Sequence, residues 1–273
     1  YDPRITHYIT FPLKRKKKLS TYWKIVRELR KENGELGVIF VNTFISALLF
    51  RLGNVKKNIG YNREGRGFLL DFSPEINYHK HYINRYAFLF NEYIGNKYVY
   101  LPELSLRYTG QKTFQFDNSH KTIALYLGGE NKEFRKYPDE YAVQLLRLLN
   151  RQGYNLLLIG DENDNIKHTQ YAEEARIDHL INLTARTTIE GFINTIANVD
   201  LIITIDSSAL HIAAAVKTPF IALMGLSTSP TSTILPKVPL GRILKIENNL
   251  IREEDYIRNI TPDLILKTIS ELI

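Results

Sequence analysis

The sequence predicts an α/β protein built from parallel strands and flanking helices. Strand-like and helix-like stretches alternate in the N-terminal part, and the alternation recurs more regularly in the C-terminal half. Such βαβα alternation is typical of a parallel sheet covered by helices. Residues 102–121 mix Pro, Gly, Gln, Asn and Ser with little periodicity and separate the two parts, so we place the domain boundary there. With 273 residues, 44% of them hydrophobic, the chain can fill one large core or two ordinary ones.

The N-terminal part is predicted to run strand, helix, strand, helix. The boundaries are Ile5–Phe11, Leu19–Lys31, Leu36–Asn42 and Thr43–Leu52. Residues 79–95 predict a further helix with aromatic and aliphatic side chains on one face. His79 and His81 lie at its start, and no carboxylate or third imidazole follows at metal-ligand spacing, so we expect both at the surface.

The C-terminal half predicts a doubly wound nucleotide-binding domain. The predicted strands are 122–127, 154–159, 200–205 and 219–224, and the predicted helices are 138–152, 188–197 and 208–216. Residues Thr261–Ile273 predict a closing helix, because Thr261 can cap it and Pro262 fits its first turn.

The composition excludes some kinds of site and favours some kinds of partner. The chain has no cysteine, which excludes a disulfide framework, thiolate zinc sites and a cysteine nucleophile, and which fits a reducing cytoplasm. Lys and Arg number 36 against 29 Asp and Glu, a net charge of +7 that favours anionic partners. The densest basic run is Lys14–Lys18, which is either a solvated loop or a contact for an anionic membrane surface or phosphorylated acceptor.

The uncharged, largely apolar run Leu36–Phe50 is shorter than the roughly 20 residues that a spanning helix needs, so we predict a buried strand leading into a helix. The opening residues have no signal-peptide pattern and no initiator Met. We therefore expect a further N-terminal segment in the native protein.

Ligands of open α/β sheets bind beyond the carboxyl ends of the strands, which directs attention to the loops after Leu127, Ile159, Ile205 and Met224. Gly128 and Gly129 follow the first of these strands and form either a close approach to a diphosphate or a plain tight turn. Arg135 and Lys136, just before the next helix, can meet such an anion.

The third loop, Asp206–Ser207–Ser208, precedes a helix of small residues. Capping side chains at a helix start leave N–H groups that can bind an anion. His211 lies one turn inside and has either a structural role or a role at that helix start. The fourth loop, Gly225–Thr233, carries hydroxyls that could reach a sugar or phosphate.

Several nucleotide and hydrolase motifs are missing from the sequence. It has no GxxxxGK[ST] motif, no GxGxxG after a strand and no GxSxG elbow, so a P-loop NTPase, a dinucleotide dehydrogenase and an α/β-hydrolase lose support. In the N-terminal part, Lys57–Leu70 holds three glycines and three basic residues and predicts either a turn lined with phosphate-binding groups or a plain basic turn. Arg63 and Arg66 of this turn are candidates for binding an anionic ligand, which would be the acceptor if the resemblance described next holds.

The ordered segments LYLGGE, RKYPDEYAVQLLRLL, NLLLIGDEND and INLTARTTIEGFINTIANVDLIITIDSSALHIAAAVKTPFIALMG resemble the C-terminal domain of family 9 glycosyltransferases, the ADP-heptose:lipopolysaccharide heptosyltransferases. The resemblance is most specific over residues 119–235. It implies a GT-B fold of two Rossmann-like domains facing a cleft, with donor binding in the C-terminal domain, acceptor binding in the N-terminal one, and inversion without a metal or other cofactor.

The resemblance also implies roles for particular residues. Asp206, Ser207 and Ser208 match the Asp-Ser/Thr-Gly loop of the family at the donor diphosphate and sugar, with Ser208 replacing the usual glycine. His211 matches the histidine of that motif, and Glu190 matches an acidic position at the donor ribose. Arg135 stands where a lysine is usual.

The chain departs from the family pattern at two further places, one that concerns packing and one that concerns catalysis. Tyr137 replaces a tryptophan, a change that we expect the core to tolerate. Family members begin with a strand and a Gly-Asp loop whose aspartate is the favoured general base, and this chain resembles the family only downstream of it. The N-terminal domain is therefore expected to be incomplete, and the catalytic base is not assigned.

The resemblance thus implies a bacterial heptosyltransferase of lipopolysaccharide core assembly. Its partners would be an ADP-sugar and an anionic glycan acceptor, with no nucleic acid, and it would work in the cytoplasm, peripherally at the inner membrane. The predicted domains are 1–110 on the acceptor side, 119–255 on the donor side, and a closing helix in 256–273. A relative with another donor or acceptor, or a non-catalytic nucleotide-sugar-binding protein, remains an alternative.

Overall fold

The computed structural model describes residues 5–11, 19–100, 103–116, 119–226, 235–236, 238–246 and 252–273. These residues form two compact units. The first unit holds the described residues up to Glu103, and the second holds those from Leu104 to Ile273.

The first unit is built on a two-stranded parallel sheet with helices around it. Its elements in chain order are α1 (Leu19–Glu32), β1 (Leu36–Val38), α2 (Phe44–Leu52), β2 (Lys57–Ile59) and α3 (Tyr82–Tyr93). Leu36 is in register with Lys57, and Ile59 bridges to Phe72. Residues Arg66–Leu69 form a 3-10 helix after β2.

The second unit is a six-stranded parallel sheet. Its strands are β3 (Thr122–Tyr126), β4 (Asn155–Leu158), β5 (Leu180–Asn182), β6 (Leu201–Ile205), β7 (Phe220–Leu223) and β8 (Gly241–Leu244). Their spatial order is β5-β4-β3-β6-β7-β8, the order of a dinucleotide-binding sheet whose direction of winding reverses between β3 and β6. Strands β3, β4, β6 and β7 are buried along their whole length, as expected for strands covered on both faces.

Helices cover both faces of this sheet. They are α4 (Asp139–Arg151), α5 (Asn165–Ala175), α6 (Ile189–Ala197), α7 (Ser208–Val216) and α8 (Pro262–Ile269). Tyr137 is fully buried at the start of α4, and its hydroxyl donates to the main-chain oxygen of Ile260 at 2.8 Å. That bond connects the start of α4 to the turn before α8, and it gives the buried phenol the partner that it needs.

Most strands and helices of the alternating pattern are present, but two expectations need correction. The predicted strand Ile5–Phe11 is wrong: residues 5–11 have no regular structure, lie mostly exposed and pair with none of the strands in the described part of the chain. The predicted basic turn at 57–70 instead begins with β2 and contains a 3-10 helix. Elements α5, β5 and β8 were not predicted.

Candidate functional site

The carboxyl ends of β3 and β6 meet at the point where the winding of the sheet reverses. This point is the usual ligand site of an open α/β sheet, because the loops that leave the two strands diverge there and open a crevice. Gly128 and Gly129 follow β3, and Asp206 and Ser207 follow β6. The fold therefore brings together the two loops that the sequence singled out.

The two glycines are required by close packing. Gly128 has φ +81°, and a Cβ there would lie 2.7 Å from Ile205 Cδ1 of β6. A Cβ on Gly129 would lie 2.5 Å from the main-chain oxygen of Asn163 and 2.6 Å from Asp164 Cα. The loop after β3 is thus seated directly on the loop after β4, and no larger residue fits at either position.

Ser207 is the N-cap of α7, and its hydroxyl accepts a hydrogen bond from Ala209 N at 3.2 Å. Thr204 is buried at the end of β6, and its Oγ1 lies 3.0 Å from the Oγ of Ser207. Ser208 is exposed at the first position of the helix. Free N–H groups of this first turn and the positive end of the helix dipole face the carboxyl edge of the sheet.

Arg135 reaches this helix start from the loop after β3. Its Nη1 lies 3.5 Å from the main-chain oxygen of Asp206, a distance at the outer limit of a hydrogen bond. The guanidinium is half-buried, so its charge adds to that of the helix dipole at the same place. The β3 and β6 loops together present a positively charged edge suited to a diphosphate.

Lys136 is directed elsewhere. Its Nζ donates to Asp139 Oδ1 at 2.8 Å, and the same carboxylate accepts from the Tyr171 hydroxyl and from Lys167 Nζ. Burial alone would raise the pKa of Asp139, but these three hydrogen bonds outweigh it and hold the pKa below its usual value. Lys136 therefore stabilises the first turn of α4.

Glu190 and His211 lie in the first turns of neighbouring helices. Glu190 follows the N-cap Thr188 of α6, whose hydroxyl accepts from Gly191 N at 3.0 Å. His211 is half-buried in α7, which packs against α6. Because α6 precedes β6 and α7 follows it, both helix starts lie at the carboxyl edge of the parallel sheet.

The loop after β4 holds functional candidates that sequence reasoning missed. Asp161 and Asp164 form a reciprocal capping box, in which Asp161 N donates to Asp164 Oδ2 at 2.9 Å. Asp164 is fully buried against Gly129, and Asp161 Oδ2 pairs with Lys132 Nζ at 3.2 Å. An acidic loop directly after a buried strand, GDEND, was the available signal, but burial of its last carboxylate could not be inferred from it.

His168 is fully buried one turn below this loop. Its Nδ1 lies 2.8 Å from Thr184 Oγ1, and its ring packs edge-on against Tyr126 of β3. Burial lowers the pKa of His168 to about 4, despite the opposing charge of Asp161. The imidazole is therefore neutral near pH 7 and packs against Tyr126 of β3 without adding charge.

The two arginines predicted for acceptor binding have different environments. Arg66 is fully buried and donates to the main-chain oxygens of Tyr61, Val41 and Thr43 and to Asn42 Oδ1. These bonds hold the turn before α2, so its donors are engaged within the first unit. Arg63 is exposed after β2 and packs over the ring of Tyr78, 5.6 Å from Cζ to the centroid. Of these two arginines, Arg63 is the one whose side chain is exposed.

The described residues form neither a metal-binding cluster nor a membrane-spanning helix. In that part of the chain, no three His, Asp or Glu side chains are close enough to hold a metal ion together. No helix there is both long enough and apolar enough to cross a bilayer.

Comparison with known proteins identifies relatives over nearly the whole chain. The family model of glycosyltransferase family 9 (heptosyltransferase) matches residues 22–254. The chain is 26% identical to lipooligosaccharide heptosyltransferase 2 of Haemophilus influenzae, over 93% of this chain and 81% of that protein.

Solved structures give the same result for the fold. ADP-heptose lipopolysaccharide heptosyltransferase II of Escherichia coli superposes with a TM-score of 0.78 at 22% identity, covering 93% of this chain and 81% of that one. Heptosyltransferase WaaC of E. coli, solved with ADP-2-deoxy-2-fluoro heptose, gives 0.69 at 16% identity, covering 93% and 78%. The expected GT-B fold is confirmed by this similarity.

Proposed function

Because the chain belongs to glycosyltransferase family 9, we propose that it transfers a heptose from an ADP-activated donor to the core of a lipopolysaccharide or lipooligosaccharide. The chain is a glycosyltransferase; the donor, the acceptor and the residue roles are the proposal. The relatives named above, one of them solved with an ADP-heptose analogue, support this choice of donor.

One observation carries the donor site: Arg135 reaches the Asp206 carbonyl at the start of α7, where the winding of the sheet reverses. A nucleoside diphosphate bound there would meet a guanidinium and free helix N–H groups at once. We assign Ser207 and Ser208 to the diphosphate and Asp206 and His211 to the sugar side. Glu190 is assigned to the ribose.

The chemistry follows from this arrangement. An acceptor hydroxyl attacks the anomeric carbon as the bond to the ADP oxygen breaks, and a single displacement inverts the configuration. Charge develops on the departing diphosphate, and fixed donors aimed at that position lower the barrier. Arg135 and the first turn of α7 supply such donors within the protein, so we propose a reaction that needs no metal. A carboxylate would take the proton of the hydroxyl.

The first unit is proposed to bind the acceptor. Its exposed Arg63 follows β2, at the carboxyl edge of the small parallel sheet, where an anionic group of a core oligosaccharide can be met by a guanidinium. The site of action would be the cytoplasmic face of the inner membrane, where a lipid-linked acceptor is exposed to a nucleotide sugar.

A transfer assay with a panel of donors tests this function. ADP-heptose should be used with inversion, at the same rate with EDTA present, and UDP-sugars should not. Arg135→Met should raise the KM for the donor at least about tenfold, because a charge-assisted contact to the diphosphate is lost.

Arg151→Met is the matched control, since Arg151 lies exposed in the last turn of α4, at the opposite edge of the same sheet. It should leave the KM unchanged. Transfer from a UDP-sugar in preference to ADP-heptose would contradict the proposed donor, and equal effects of the two variants would contradict the proposed place.

A further inference from the structure

Helix α6 carries a polar stripe along one side. Gly191, Asn194, Thr195 and Asn198 are spaced three, four and seven residues from the first of them, so they share one face of the helix. Asn194 is 2% exposed, and Thr195 is fully buried. A buried amide or hydroxyl destabilises a fold unless it is hydrogen-bonded, so the partners of these two side chains identify what packs on the stripe.

The partners of Asn194 lie in the irregular segment before β3. Residues 104–116 contain neither a helix nor a strand and belong to the second unit, and we call them the strap. Asn194 Oδ1 accepts a hydrogen bond from Gly110 N at 3.2 Å, and its Nδ2 donates to Thr109 Oγ1 at 2.8 Å. One buried amide thus uses both of its ends to hold two consecutive residues of the strap.

Thr195 holds a third residue of the strap. Its hydroxyl donates to the main-chain oxygen of Gly191 at 2.8 Å, so its oxygen accepts from the Thr113 hydroxyl, with 2.6 Å between the two oxygens. Thr113 Cγ2 lies 3.8 Å from the place that a Cβ of Gly191 would take. Thr113 is therefore seated on the first turn of α6, the turn that also carries Glu190.

The strap also joins α6 to α7. Leu106 N donates to the main-chain oxygen of Ala215 at 3.1 Å, and Ala215 lies in the last turn of α7, where carbonyl groups have no partner within the helix. Both helices begin at the carboxyl edge of the sheet, so the strap passes from the end of α7 to the start of α6. It ties the two helices into one arrangement.

We propose that Asn194 and Thr195 are positioning residues for the nucleotide donor. By holding the strap on α6, they fix the first turn of that helix and with it Glu190, which precedes Asn194 by about one helical turn. An apolar helix face would fill the same volume without polar atoms to satisfy, so the stripe serves the placement of the strap. This inference rests on the proposed function, because it takes Glu190 as the residue at the donor ribose.

Nearly isosteric variants remove the hydrogen bonds with little change of volume. Thr195→Val loses the bonds to Thr113 and Gly191, and Thr113→Val loses the first of them from the strap side without altering α6. Calorimetric titrations with ADP and with 2′,3′-dideoxy-ADP measure the preference for the ribose hydroxyls. Chemical denaturation verifies that each protein is folded under the conditions of the titration.

The expected effect is a loss of this preference. The unmodified chain should bind ADP roughly tenfold more tightly than the dideoxy nucleotide, because a carboxylate accepts strong hydrogen bonds from hydroxyls. Thr195→Val and Thr113→Val should reduce the preference to about threefold or less, because a displaced carboxylate meets the hydroxyls poorly. Their affinity for the dideoxy nucleotide should stay within about twofold of that of the unmodified chain, since the diphosphate contacts are retained.

Three further variants calibrate this effect. Glu190→Ala should abolish the preference, and Thr195→Ser should keep it because the hydroxyl is retained. Thr268→Val is the matched control, since Thr268 is 6% exposed and donates to the main-chain oxygen of Leu264 in α8 at 2.8 Å. It loses the same kind of bond, to a carbonyl four residues earlier, on another helix, and it should leave both affinities unchanged.

Steady-state transfer gives a second readout. Thr195→Val should raise the KM for ADP-heptose several-fold and leave kcat within about twofold, because the reacting groups are untouched. A fall in kcat with an unchanged KM would contradict a role in positioning the donor.

The possible outcomes separate this inference from the proposed function. If the unmodified chain neither binds ADP nor uses ADP-heptose, both fail. If it binds ADP without preferring it to the dideoxy nucleotide, the assignment of Glu190 to the ribose and this inference fail, while the ADP donor stands. If the preference is present and both valine variants keep it, or if they weaken the binding of both nucleotides equally, this inference alone is overturned.

Discussion

Lys132 and Asp161 form an ion pair, with Nζ 3.2 Å from Oδ2, that joins the loop after β3 to the loop after β4. The lysine is mostly buried and also lies over the ring of Tyr126, 5.5 Å from the centroid. Hydrogen bonds from Asn163 N and from Lys132 outweigh the effect of burial and hold the pKa of Asp161 below its usual value. Lys132 and Arg135 share one 3-10 helix, so this pair fixes the segment that carries Arg135.

The first prediction concerns this pair. Lys132→Met should raise the KM for the ADP-sugar several-fold with a smaller change in kcat, because Arg135 loses its fixed position while the reacting groups stay intact. Asp161→Asn should have a similar effect. The double variant should lose less donor affinity than the sum of the two single losses, since removing one partner already breaks the pair.

Steady-state kinetics of the four proteins measure this coupling. Fully additive effects would show that Lys132 contacts the donor independently of Asp161. Arg147→Met, an exposed arginine of α4, serves as the control for loss of one charge.

A second prediction follows from the packing of Gly129. Gly129→Ala places a Cβ 2.5 Å from the main-chain oxygen of Asn163, so one of the two loops must move. We expect a loss of about 1–3 kcal/mol in the free energy of unfolding, together with weaker ADP binding. Chemical denaturation and calorimetric titration measure the two effects.

Gly34→Ala is the matched control, since the nearest atom to its added Cβ is Val55 Cγ1 at 3.6 Å, an ordinary contact. It should be neutral or slightly stabilising. A Gly129→Ala protein as stable as the control, with unchanged ADP affinity, would mean that the two loops adapt freely.

The third prediction is a pH dependence that arises from His168. Burial lowers the pKa of this group from 6.5 to about 4, so between these values the unfolded chain binds a proton that the folded one does not. Stability from this group is therefore complete above pH 6.5 and is lost as the pH falls towards 4. The loss amounts to roughly 3 kcal/mol, and most of it occurs by pH 4.5.

Denaturation curves at pH 7 and pH 4.5 measure this loss, and His168→Gln should reduce the difference between the two. Asp139 and Asp161 do not interfere, because their lowered pKa values place their own losses at still lower pH. An unchanged pH dependence in His168→Gln would assign the effect to other groups.

The central strands of the second unit could be predicted from the sequence for a physical reason. Strands β3 and β6 are continuous apolar runs, and such runs followed by a polar loop indicate buried parallel strands. The start of α7 could also be predicted, because Ser207 caps a run of small apolar residues. Helix α5 was not predicted because it is largely polar. Strand β5 was not predicted because it has only three residues.

The direction and burial of individual side chains could not be predicted from the sequence pattern. Arg135 and Lys136 are adjacent cations, yet one reaches Asp206 and the other turns to Asp139. Arg66 carries the same charge as Arg63 but is enclosed by main-chain oxygens. Composition identifies the charge of a residue, whereas its partner depends on packing that forms only in the folded chain.

The last prediction separates binding from capping in the loop after β6. Asp206→Ala should weaken ADP-sugar binding or turnover at least about tenfold while leaving the free energy of unfolding nearly unchanged, because the residue precedes the cap of α7 and is assigned to the donor. Ser207→Ala removes the cap itself and should cost about 1 kcal/mol of stability. Calorimetric titration with ADP-heptose and denaturation of both variants give the two quantities. If Asp206→Ala loses as much stability as Ser207→Ala and its folded fraction binds the donor normally, Asp206 acts only in shaping the start of the helix.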